Sequence, residues 1–144
     1  MRRFNRATNK RDVIERLLAS NGGAFVQIWQ IIIFAACLGF KHGRREPLGE
    51  VDSSVAIPPS VFANNCSSWP GIVYLVSIVD SSDANVLNSD ETTDENRMKI
   101  LEEYANGGLE MMRESLEPRD YSLDSICQIL ANDISSGQIT RESI

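Results

Sequence analysis

The chain has 144 residues, 42% of them hydrophobic and 24% charged, proportions that exclude wholesale disorder and fit one domain with its own core. A net charge of -6 argues against a protein that coats nucleic acid over its whole surface. The charge is unevenly placed. Residues 1–45 hold nine Lys and Arg against two carboxylates, and the remainder holds five against eighteen. Such a division means two faces with different partners, or one half of the chain pairing with the other.

Residues 1–8 read as a loose basic arm carrying Arg2, Arg3 and Arg6, with no apolar segment that would make it a secretory signal. Thr8 or Asn9 can cap a first helix that runs to about Ser20, and Asn21-Gly22-Gly23 supplies residues able to end it. The segment Ala24 to Phe40 is apolar on nearly every side, which predicts a helix enclosed by the others. It is short for a membrane span, contains Gln27 and Gln30, and is flanked by basic residues on both sides. Gly39 or Gly43 ends it.

Loop-like sequence follows to Pro58-Pro59, which opens a short helix through Phe62. Trp69-Pro70 begins a strongly apolar helix, and Ser81 to Asp94 reads as a loop with a turn at Val86-Leu87. Thr93 is expected to cap the longest helix, which Pro118 ends. Gly107-Gly108 inside it predicts a close helix crossing, a kink or a break. A last helix starts at Ser122 or Asp124, and residues 135–144 read as a frayed tail. The fold class is all-α: a compact bundle of about five to six helices around a central apolar helix, with residues 9–134 forming a single domain.

Cys37, Cys66 and Cys127 are far apart and odd in number, which favours a reducing, cytoplasmic setting over a disulfide framework or a zinc site. Cys37 lies in the apolar run and is expected to be buried.

Three places carry chemistry. In GFKHGRREPL, Lys41, Arg44 and Arg45 crowd around a glycine, and guanidinium forks suit phosphate or carboxylate oxygens. With Arg2, Arg3 and Arg6 they would form one cationic surface for a nucleic-acid backbone or an acidic partner. Alternatively, Arg44 and Arg45 pair with the acidic C-terminal helices and hold the fold together. His42, the single histidine, lacks a nucleophile or orienting acid at readable spacing, so it reads as a loop residue beside these cations. In EEYANGGLE, Glu103 and Glu110 share a helix face, with Asn106 between them, as an interface or, less readily, a metal-dependent nuclease site. No histidine or third ligand completes a metal set there, and no catalytic residue or cofactor motif is assigned.

The run FAACLGFKHGRREPL, the stretch Ile57 to Phe62 and EEYANGGLE together resemble a small family encoded beside bacterial DNA phosphorothioation genes, the Dnd system-associated accessory proteins. The resemblance spans Asn21 to Glu114. It implies association with a system that replaces a phosphate oxygen of DNA by sulfur and restricts unmodified DNA, a phage-defence setting. It carries no catalytic residues. The expected function is a non-catalytic accessory or regulatory protein that binds another protein component. Direct DNA-backbone binding through the arm and the Lys41–Arg45 loop is the alternative. Homo-oligomerisation through the apolar helix or the glycine step is a further option. On the DNA reading, reversing Arg44 and Arg45 to glutamate is expected to abolish binding without unfolding the domain.

Overall fold

A computed structural model describes residues 2–142, with side chains as far as residue 135. Six α-helices follow in chain order: α1 (Arg11–Leu17), α2 (Ile28–Lys41), α3 (Pro59–Asn65), α4 (Trp69–Ser81), α5 (Glu91–Leu116) and α6 (Leu123–Glu142). No strand is present among the described residues; three isolated bridges, Phe4 with Ile57, Ala7 with Val51 and Leu18 with Phe25, tie loops together. The all-α expectation is met.

Helix α2 starts later than Ala24. Gln27 is extended, and the Gln30 side chain accepts the Val26 and Gln27 N–H groups, so the backbone turns helical only at Ile28. Gly43, with φ +64, follows the C-cap residue His42. Helix α5 is capped by Asp90, not Thr93. The Asp90 carboxylate accepts the Thr93 N–H at 3.1 Å and its hydroxyl at 2.6 Å, which places Thr93 inside the first turn. Helix α6 continues past Ile134, where the sequence suggested fraying; residues 143 and 144 lie outside the described residues.

The architecture is organised around the contact of α2 with α5, the most extensive between any two elements. Ala35 and Gly39 of α2 lie against Tyr104 and Gly108, and α5 runs unbroken through the Gly107-Gly108 pair. A Cβ on Gly39 would run into the Tyr104 carbonyl oxygen, and one on Gly108 into that of Ala35, both closer than 3.0 Å. The glycine step is therefore a close crossing, where backbone touches backbone and no side chain fits.

The more enclosed of the two is α5. Every residue from Ile100 to Leu109 is buried, among them Glu102, Glu103 and Asn106. Helix α2 buries Ile31, Ile32, Ala35 and Ala36 but leaves Cys37 exposed, contrary to the expectation of burial. The reason is geometric: Cys37 lies on the side of α2 opposite Ala35 and Gly39, which face α5. Phe4, Phe62 and Trp69 close the other end of the core, with the Phe62 and Trp69 rings stacked at 4.0 Å. No helix among the described residues is long and apolar enough to cross a membrane.

Candidate binding surface at the Lys41–Arg45 loop

The loop leaves the end of α2 and crosses the outer side of α5. Its path is set by backbone bonds: the Arg44 N–H donates to the Gly39 carbonyl at 2.8 Å and the Glu46 N–H to that of Glu103 at 3.1 Å. Asn106 Nδ2 donates to the Pro47 carbonyl at 3.0 Å. A Cβ at Gly107 would strike the Arg44 carbonyl, so the loop lies against bare helix backbone.

Each cation of the loop then meets a carboxylate of the same chain. The two Arg44 terminal nitrogens grip Glu114 at 2.7 and 2.8 Å, and its Nε reaches Glu46 at 2.9 Å. Arg45 Nε donates to Glu103 and Nη1 to Asp80, both at 2.7 Å. Lys41 and His42 both reach Asp133 on α6, the latter at 2.6 Å. The electrostatic signature agrees. The hydrogen bond from Arg44 pulls the Glu114 carboxyl below its ordinary range, and Lys41, then His42, do the same for Asp133 against the opposing effect of burial. Tyr104 donates to Asp80 at 2.6 Å; burial first, then that bond, push its phenol up to about 12.

The N-terminal residues are also engaged. Expected as a loose arm, they pack: Phe4 is buried and exchanges two backbone hydrogen bonds with Ile57. Arg2 forms a bidentate pair with buried Glu102, both bonds at 2.8 Å, and Arg6 donates to the Val55 carbonyl at 3.0 Å. Arg3 alone of the three is exposed and unpaired.

The second sequence-flagged group turns inward. Glu103 faces Arg45, Glu110 faces Lys10 at 3.3 Å and Arg113 at 3.1 Å, and Asn106 is buried beneath the loop. Their seven-residue spacing does not make a paired-carboxylate site, because a cation sits on each. No group of three or more His, Cys, Asp or Glu that could hold a metal occurs among the described residues.

The structure thus brings Lys41 and His42 together at one carboxylate, joins Arg45 to Glu103, and leaves Arg3 apart. Sequence reasoning missed Asp80, Glu102, Glu114 and Asp133, the carboxylates that occupy these cations. The alternative that Arg44 and Arg45 pair with the acidic C-terminal helices is what the structure shows for Glu114 and Glu103, but partners 35 to 100 positions apart leave no local spacing that names them. The clasp also overturns the expectation that reversing Arg44 and Arg45 is structurally silent. Arg45→Glu would face Glu103 and Asp80 with a third negative charge.

The model of the family described as DNA sulphur modification system-associated protein 4 matches residues 3–143. The chain belongs to this family. The match extends well beyond Asn21 to Glu114 and takes in both the packed N-terminus and α6. No curated protein and no solved structure matches the chain. Family membership associates the protein with a DNA sulfur-modification system, and the loop with its glycine crossing lies inside the matched region.

Proposed function

We propose that this family member is a non-catalytic accessory protein of a DNA phosphorothioation system, in modification or in the linked restriction of unmodified DNA, and that it acts by binding another protein component. One observation carries the reading. Arg2, Lys41, Arg44 and Arg45, most of the cations that made a DNA-backbone surface attractive, already hold carboxylates of their own chain, so a phosphate would have to displace a formed, charge-assisted pair. Apart from the scattered cations Arg3, Lys99 and Arg119, what remains outward among the described residues is mainly acidic and apolar, a surface suited to protein rather than nucleic acid.

The test is co-purification under gentle conditions with the components encoded beside it. Stable capture of one of them supports the reading, and capture of none sinks it. Direct DNA binding is tested by anisotropy of a labelled duplex, with and without a phosphorothioate, at two salt concentrations. Salt-sensitive binding lost on Arg3→Glu/Arg119→Glu would replace the protein-partner reading, because these exposed cations face no carboxylate among the described residues.

A further inference from the structure

Helix α4 is apolar on both sides. Trp69, Val73 and Val76 face the core. Opposite them, at helical spacing, Gly71, Leu75 and Val79 form an outer stripe without a charge. Leu75 is 59% exposed and Val79 55%. A surface helix ordinarily turns polar residues outward, and a contiguous apolar stripe marks a place where another chain sits. A Cβ at Gly71 would meet nothing within 4 Å, so the glycine leaves an open notch beside Leu75.

Charge at the end of the stripe indicates what sits there. Residues 81–96 hold five carboxylates and no lysine or arginine. Asp83, Asp90 and Glu91 are exposed; Asp90 caps α5 and feels Arg97, while Asp83 and Glu91 face no cation among the described residues. The turn at Ala84–Leu87 packs against both α4 and α5, which keeps this acidic segment beside the C-terminus of α4. The negative end of the α4 dipole adds to the same field.

We propose that the α4 stripe is a docking surface for a basic amphipathic helix of a partner protein. The partner's apolar side chains cover Leu75 and Val79, and its lysines or arginines reach Asp83, Asp90 and Glu91. This inference rests on the accessory reading above and gives it a surface and a partner chemistry. A second copy of the chain fits less well: among the described residues its exposed unpaired cations, Arg3, Lys99 and Arg119, lie on separate elements and form no basic helix face.

The probe is a fluorescein-labelled Leu–Lys amphipathic peptide of about 18 residues, long enough to span α4. A scrambled peptide of the same composition and a Leu–Glu peptide of the same pattern are the controls. Anisotropy should show binding of the patterned Leu–Lys peptide alone, weakened by salt. Affinity should fall at least about tenfold in Leu75→Ser/Val79→Ser and in Asp83→Lys/Glu91→Lys, roughly 1.4 kcal/mol, while circular dichroism stays unchanged. No binding, equal binding of the scrambled peptide, or full affinity in either variant overturns the proposal. So does a wild-type dimer that Leu75→Ser/Val79→Ser dissociates, since the stripe would then belong to a second copy. In parallel, the full chain and the Leu75→Ser/Val79→Ser variant are co-purified with the components encoded beside them. Loss of a captured component in the variant supports the docking surface; undiminished capture removes it and leaves the accessory reading standing. A wild-type chain that captures none of them removes the accessory reading, and the peptide titration still decides the stripe.

Discussion

A methyl group at Gly108 has nowhere to go: the Ala35 carbonyl occupies its place, and both groups are backbone. Gly108→Ala should therefore destabilise the protein by about 3 kcal/mol, the upper part of the usual overpacking range, because α2 and α5 must separate to admit it. Gly71→Ala is the matched control. It too lies in a helix, but its Cβ projects into open space, so the substitution should stabilise by about 0.5–1 kcal/mol. Thermal or urea unfolding of the two variants separates steric exclusion from glycine flexibility. At the loop, Arg45→Ala strands Glu103, which is only 9% exposed, and should cost about 2–3 kcal/mol, somewhat under the range for breaking a fully buried pair. Arg16→Ala, which removes an exposed pair with Glu117, should change stability far less than Arg45→Ala, because solvent screens the pair.

Tyr104 gives a pH signature. Its folded phenol, raised to about 12, lies above the ordinary tyrosine value of about 10. Its contribution is complete below the unfolded value and is lost as pH rises toward 12. An ultraviolet titration should therefore show a late tyrosine step that Tyr104→Phe removes. A wild-type protein in which every tyrosine ionises near pH 10 while still folded would contradict the Asp80 bond.

Among the described residues, α6 is held to the bundle by few contacts. Its inward contacts are Ile126 and partly buried Ile129, and a cleft of about 330 Å³ lies between it and the α2–α5 pair, lined by Leu38, Met111 and Asp133 among others. The far side of that cleft is closed by the reach of Lys41 and His42 to Asp133. Asp133→Asn should raise amide exchange over residues 126–135 with little effect on α5. The sign with pH follows from the depressed Asp133 carboxyl. Its stabilisation is present above the unfolded aspartate value of about 3.9 and is lost as pH falls through the lower folded value. Exchange in α6 should accordingly accelerate below about pH 4, before the core opens. Equal protection of α5 and α6 at pH 3 would contradict this.

The elements also show what could be read in advance. Six helices and the place of α3 and α4 followed from apolar spacing and from Pro59 and Pro70, which are local signals. The choice between kink, break and crossing at Gly107-Gly108 was not local, because it depends on Ala35 and Gly39 approaching from another helix. Burial of α5 was hidden for a related reason. Glu102 and Glu103 look like a solvated face until Arg2 and Arg45, far along the chain, are known to neutralise them. The candidate site was legible as a cluster of cations, and the carboxylates that occupy it were not.

For the whole molecule, the question is how much positive charge remains for DNA. If Arg2, Arg3, Arg6, Lys41, Arg44 and Arg45 were all free to neutralise phosphates, the log–log salt slope would be about −5.4; Arg3, Lys99 and Arg119, the exposed unpaired cations among the described residues, give only about −2.7. A measured slope steeper than about −4 would mean that the internal pairs open on DNA, against the pairing of these cations within the chain.

The backbone contact between α2 and α5 has a last consequence, for comparing relatives. The stretches that carry the sequence resemblance, around Gly39–Pro47 and Glu103–Gly108, are where one helix excludes every side chain from another and where a loop is clipped onto the result. They identify a scaffold. Two proteins that share them share a frame, and whether they serve the same partner should be judged from positions such as Leu75, Val79 and Glu91, which are free to vary without disturbing that frame.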